Sequence, residues 1–438
     1  MKKLFTLVAV IVALSATAQT SREEIDRYPH LVISSQSVYA GEIFGKPIAD
    51  APKGYTPFYI SHYGRHGSRY EAEEKYIGNV RNYFHIADSL GILTPQGKEV
   101  KAIIESIHTA QVGRIGDLTR LGVEQHKTIA ERMYNRFKSV FSKGAIVDAR
   151  SSIRTRCIVS MASFSDKLKE CQPQLQINIE ASDVDAHIIR PMSRGLTSYS
   201  FYERENSDQE WKKLYAEWNS KCDFSHSVNL LFTDIKPLCA HTGLSTTSLM
   251  VNIYKRWAFM QNFGWKDRSK LEEVFNADER HTIYKHDNYR WFCLFSGTSL
   301  PDANRYFAPM ANLAKDIVER ADAVIAGTSK TVADLRFGHD YYILGLLAIL
   351  QPNGMGVDSD YHDIDKLAES WRSYRIVSMA SNTQFVFYRG KKESDILVRI
   401  LHNESDITLP IESATAPFYK WEELRDYINK QSEAISKY

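Results

Sequence analysis

The chain predicts an α/β fold: a mostly parallel central sheet flanked by helices, interrupted by a largely α-helical inserted segment. Three observations carry this prediction. First, the apolar stretches Phe58 to Ile60, Ala145 to Val147 and Ala333 to Phe337 each run into a loop bearing basic residues. These are Arg65-His66, then Arg154 with Arg156, then His339, and each loop precedes a helix-compatible segment. Repeated strand, loop and helix is the pattern of a parallel sheet, and ligands collect beyond the carboxyl ends of such strands. The three loops are therefore expected to converge on one crevice. Second, Phe385-Val386-Phe387-Tyr388 and Ile396 to Leu401 flank a polar turn and read as a hairpin or as neighbouring strands. Third, residues 166–325 change texture, with helix-compatible charge and five of the seven tryptophans. The expected organisation is a core of 19–165 and 326–438, with 166–325 as a helical cap over the crevice.

The first residues have a basic start (Lys2, Lys3), an apolar run from Leu4 to Leu14 and then Ala16-Thr17-Ala18. This is the pattern of a secretory signal peptide cleaved after Ala18, and the run is too short to span a bilayer. The expected location is periplasmic or extracellular, without stable membrane insertion. The 438 residues are 43% hydrophobic and 25% charged, enough for a large packed core. A formal charge of +2 argues against nucleic acid as a partner. The five cysteines lack any Cys-x-x-Cys spacing, which disfavours zinc. Export would permit disulfides, and Cys222 with Cys239 is a candidate pair.

Gly64-Arg65-His66-Gly67-Ser68-Arg69 carries the chemistry. Guanidinium forks match phosphate oxygens, and a neutral imidazole is a nucleophile able to carry a phosphoryl group. Gly67 is expected to clear space for the phosphate. A phosphate monoester also needs its leaving alkoxide protonated. The scheme assigns charge neutralisation to Arg65, Arg69, Arg156 and His339, attack to His66, and proton donation to Asp340, with no metal or other cofactor. Taken singly, His339-Asp340 reads as a helix-capping pair and Arg156 as part of a solvated helix face. It is the ordered combination that points to a site. His62 lies four residues before His66, but Gly64 and Gly67 break any helix that would align the two as metal ligands. Between the first two basic loops, Thr119 is the expected N-cap of a helix with Leu121, Ile129, Met133 and Phe137 along one side.

These motifs resemble the histidine acid phosphatases, the large secreted branch of the histidine phosphatase superfamily. The resemblance rests on Arg65 to Arg69, on Gly116 to Gly122 with Gln125, on Arg156 with Ser160, and on Phe337-Gly338-His339-Asp340. It implies a phosphoglycerate-mutase-like core, His66 as phosphate acceptor, Arg65, Arg69, Arg156 and His339 as the phosphate pocket, and Asp340 as proton donor. Leu335 to His339 and Val398 to Glu404 look like the multiple inositol polyphosphate phosphatase group. That group typically has His-Ala-Glu where this chain has His339-Asp340-Tyr341, and Glu71 stands where the family has proline.

The resulting expectation is an exported phosphomonoesterase acting through a phosphohistidine on inositol polyphosphates such as phytate, with Arg114, Arg120, Arg150 and Arg154 as further substrate contacts. A broad acid phosphatase, a non-catalytic phosphate-ligand binding protein and a mutase-like transferase are the alternatives. Acidic conditions are expected to favour turnover.

Overall fold

In a computed structural model, residues 19–190, 201–207 and 209–437 are described, and the expected signal peptide lies outside them. Eight strands form one sheet in the order β3-β2-β4-β1-β5-β6-β7, with β8 also on β6. They are β1 (Thr56–Arg65), β2 (Ile146–Ser151), β3 (Gln176–Ala181), β4 (Thr331–Gly338), β5 (Asn382–Arg389), β6 (Ile396–His402), β7 (Ser405–Ile407) and β8 (Phe418–Lys420). Parallel pairing is confined to β3-β2-β4-β1. From β1 onward through β5 and β6 every pairing is antiparallel, including the expected hairpin partners. The "mostly parallel" expectation thus describes the half of the sheet that bears the basic loops.

Side chains alternate across the sheet with the period of two that a pleated strand imposes. Tyr59, Tyr63, Phe385, Phe387, Val398 and Ile400 face one way, under the helices Ala311–Ile325, Asp340–Leu350 and Trp421–Ser436. Ile60, Leu335, Phe337, Val386 and Leu401 face the other, against Ile129 and Met133 of the helix Arg120–Arg136 and Met161 and Phe164 of the helix Thr155–Cys171. Thr119 caps the first of these, its hydroxyl accepting from the Gly122 N–H at 3.3 Å. Asp340–Leu350 is buried along every residue from Tyr342, as its unbroken apolar composition requires.

A third core is mostly helical and draws on residues from both sides of the expected cap boundaries. It joins Ile77, Val80 and Phe84 of Glu74–Ser89 and Val100, Ile104 and Ile107 of Pro95–Thr109 to Leu249, Ile253 and Trp257 of Thr246–Ala258. Glu74–Ser89 and Pro95–Thr109, both outside 166–325, therefore belong to this layer. Within 166–325, by contrast, β3 extends the sheet and Ala311–Ile325 covers its face. Amphipathic stripes find partners by shape and burial, not by chain proximity. All five cysteines are unpaired, Cys222 and Cys239 among them. No described helix is long and apolar enough to cross a membrane.

Candidate active site

The parallel registers bring the three basic loops to one edge. Arg65 pairs with Gly338 and Ser151 with Phe337, so β1, β4 and β2 end side by side. The ladder continues into the loops: the His66 N–H donates to the Gly338 carbonyl at 3.0 Å and the Ser152 N–H to Phe337 at 3.0 Å. On the antiparallel side the Arg65 N–H donates to Ser381 at 2.8 Å, and the Ala380 N–H donates to His66 at 3.0 Å. His66 is held by backbone bonds from both flanks. The helices Thr155–Cys171 and Asp340–Leu350 begin at this edge and turn their positive ends toward it.

The Gly116 to Gly122 motif braces the first loop. Ser68 accepts at its carbonyl from the Thr119 N–H (2.9 Å) and hydroxyl (3.0 Å), and its N–H donates to Gln125 Oε1 at 2.8 Å. The Gly67 N–H donates to Ser160 Oγ at 3.2 Å. A Cβ on Gly67 would lie 2.6 Å from the Gly122 carbonyl oxygen, and one on Gly122 would lie 2.2 Å from that of Ser68. The two glycines let two backbones touch. Gly67 is thus explained by packing against Gly122, where the sequence suggested room for a phosphate.

His66 is 2% exposed, with Nδ1 2.9 Å from the Gly67 carbonyl. A carbonyl only accepts, so the neutral ring carries its proton on Nδ1 and its lone pair on Nε2. Burial, then the charges of Arg156, Arg65 and Arg69, push the His66 pKa well below the ordinary imidazole value. His339, its ring 5.6 Å from that of His66, is shifted the same way by burial and by Arg156, Arg190, Arg65 and Arg154. Its Nε2 lies 3.3 Å from Ser152 Oγ. Arg65 donates through Nη1 to the carbonyls of Ser35 and Val377, and its Nη2 is 2.7 Å from Asp340 Oδ2. Asp340 Oδ1 accepts from the Tyr341 N–H at 3.0 Å. Burial and the neighbouring Arg156 lower the Arg69 guanidinium to about 10. The edge therefore unites all six residues expected there: His66, Asp340, Arg65, Arg69, Arg156 and His339.

A cleft of about 600 Å³ opens from this edge, lined by Arg69, Asp340 and Tyr341 on the sheet side. Its far wall carries Lys75, Lys255, Arg256 and Arg290, which sequence reasoning missed. Basic residues in the last turn of a helix, as Lys255 and Arg256 are, read first as partners of the helix dipole. Arg114, Arg120, Arg150 and Arg154 do not line the cleft. Arg150 is committed to Asp316 at 2.9 Å and Asp185 at 3.1 Å. Arg114 is exposed over the Tyr70 ring, and Arg120 and Arg154 are exposed at helix starts.

The family model of the histidine phosphatase superfamily (branch 2) matches residues 64–403. The chain belongs to this family. Its fold is shared with the multiple inositol polyphosphate phosphatase of Bifidobacterium longum, solved with inositol hexasulfate, at a TM-score of 0.73 and 18% identity over 90% of this chain and 96% of that one. The phytase from D. castellii aligns at 0.67 and 14% identity over 96% and 89% of the two chains. The Citrobacter braakii phytase aligns at 0.54 and 11% over 87% and 99%. No curated protein matches the chain.

Within this histidine phosphatase the two further motifs act as scaffolding. Arg336, fully buried on β4, bonds Asp316 and Ser61. Arg399 grips Asp406 through two bonds of 2.9 and 2.7 Å. Asn403 and His402 hold the carbonyl of Ile376, in the segment that supplies Val377 to Arg65 and Ala380 to His66. Glu404 accepts from Arg132 and from the Tyr39 hydroxyl.

Proposed function

We propose that this histidine phosphatase is an exported phosphomonoesterase that works through a phosphohistidine and removes phosphates from inositol polyphosphates such as phytate. The observation that carries the reaction is the His66 Nε2 lone pair, fixed by the Nδ1 contact to Gly67 and flanked by Arg65, Arg69 and Arg156. In this reading the arginines and His339 hold the phosphoryl oxygens while Nε2 attacks phosphorus in line. The bond from phosphorus to the ester oxygen breaks, and Asp340 gives its proton to the departing alkoxide. Water then attacks the phosphohistidine, Asp340 takes the water's proton, and the phosphorus–nitrogen bond breaks to return neutral His66. The depressed pKa of His66 keeps its nucleophilic form present in acid, in keeping with the expected acidic preference. No step routes through a metal or other cofactor.

The basic cleft and the names of the solved relatives favour inositol polyphosphates over small esters. Export is favoured by the Lys2-Lys3, Leu4 to Leu14 and Ala16-Thr17-Ala18 pattern. Two measurements test the reading. The variant His66→Ala is expected to hydrolyse no phosphomonoester, and retained turnover would overturn the mechanism. A panel of phytate against aryl and sugar phosphates, ranked by kcat/KM, is expected to place phytate first. Equal values across the panel would indicate the broad acid phosphatase instead.

A further inference from the structure

We propose that Arg256, positioned by Glu71, makes the cleft prefer substrates bearing a second phosphate beside the one being removed. The inference rests on the phosphatase reading above and assigns a specificity role to two residues of the cleft. Glu71 lies two residues after Arg69, and its backbone is pinned on both sides. Its N–H donates to Gln111 Oε1 at 2.8 Å, and its carbonyl accepts from the Gly116 N–H at 2.7 Å. The carboxylate is buried against the Arg256 guanidinium, with Oε1 taking the bond from Nη1. Its second oxygen is buried and accepts no hydrogen bond. Arg256 Nη2 donates to Gln36 Oε1 at 2.8 Å, and Gln36 and Arg256 both line the cleft.

The guanidinium groups of Arg69 and Arg256 flank one aromatic ring, 5.7 and 5.6 Å from the Phe259 centroid. A phosphate on Arg69 and a neighbouring phosphate on Arg256 would each meet a planar donor fork. Both terminal nitrogens of Arg256 keep a hydrogen beyond those given to Glu71 and Gln36. The other cations of the far wall are less suited to discrimination. Lys75 and Arg290 have side chains 62% and 43% exposed and pair with Glu73 and Glu205, which line the same cleft. Solvent screens such pairs. Lys255, paired with the buried Asp287, offers a point charge without a planar fork. The Arg256 side chain is 8% exposed, and its carboxylate partner stands behind the lining, so its charge reaches the cleft less screened and in a fixed orientation. Proline at position 71 would supply no such anchor.

The test compares kcat and KM of the full chain on inositol hexakisphosphate and on p-nitrophenyl phosphate. In Arg256→Gln the ratio of kcat/KM for the inositol ester to that for the aryl ester is expected to fall at least ten-fold, through KM of the inositol ester. Glu71→Gln should lower the same ratio about three- to ten-fold, because the fork loses its anchor. Arg256→Lys, which keeps a charge without the fork, should fall between wild type and Arg256→Gln. If Arg256→Gln does not fold, Glu71→Gln and Arg256→Lys carry the test. An unchanged ratio in active variants, or an equal loss of kcat on both esters, overturns the assignment alone. A wild-type protein that hydrolyses neither ester overturns the phosphatase reading and this inference with it.

Discussion

Two clusters, each of three buried or half-buried arginines, are anchored on the sheet by Arg336 of β4 and Arg65 of β1, two ladder steps apart. Beneath the edge, on the sheet face, Arg150, Arg320 and Arg336 are matched by Asp148, Asp185, Asp316 and Asp334. At the edge, Arg65, Arg69 and Arg156 surround His66, and Asp340 is the carboxylate bonded among them. The side-chain Nε of each edge arginine is buried and has no hydrogen-bond partner. A buried, uncompensated guanidinium is costly, so the chain that neutralises one cluster fully leaves the other positive for a dianion to complete. Arginine content alone does not mark a phosphate site. The imbalance between arginine and carboxylate does.

This contrast breaks if substitutions in the two clusters behave alike. The largest effect is expected from Asp340→Asn, which should lower kcat about 10²- to 10⁴-fold on alkyl phosphates and less on aryl esters with good leaving groups. Equal losses on both would remove Asp340 from proton donation. Next, Arg336→Met should cost about 3–5 kcal/mol of unfolding free energy in urea, because Asp316 loses two of its bonds in a buried setting. A change below about 1 kcal/mol would show that the face cluster is not needed for stability. Arg156→Gln should do the reverse, costing about 10²- to 10³-fold in kcat/KM while leaving the urea midpoint unchanged or higher, since like charge is relieved around His66. A marked loss of stability would equate the two clusters.

The smallest effect per residue concerns pH. Burial lowers His62 and His126 to about 3 and His402 to about 4. The unfolded chain takes up these protons near pH 6.5 while the folded chain does not, so stability is full above that pH. Each residue then loses up to about 1.4 kcal/mol per pH unit below it. For His402 the loss should stop near pH 4. Urea midpoints measured from pH 7.5 to 4.5 check this, and a flat profile contradicts it.

The edge was legible in the sequence because each piece is local: an apolar strand, a basic loop, a helix start. Thr119, Arg65, His66 and the His339-Asp340 pair needed only that order and the rule that parallel strands end together. The wall was not legible, since the loop of Arg69 and the helix of Arg256 come together at Phe259 through packing by shape, and nothing in their spacing says so. Arg150 and Arg156 illustrate the same difficulty. Six residues apart, one ends on the sheet face against Asp316 and the other in the first turn of a helix at the edge. Glu71 was visible as a departure from the family's proline, but its partner was not. Of the antiparallel half of the sheet, only β5 and β6 were foreseen, as a hairpin or neighbouring strands. Its service to the site, through Ser381 and Ala380, depends on a register that sequence does not specify.

The central claim is a covalent phosphate on His66, and rapid alkaline quench during turnover of a radiolabelled inositol phosphate tests it most directly. The account predicts acid-labile, base-stable label on the peptide containing His66, formed within one turnover and absent from His66→Ala. Turnover without label on that residue, or label persisting in His66→Ala, would contradict it.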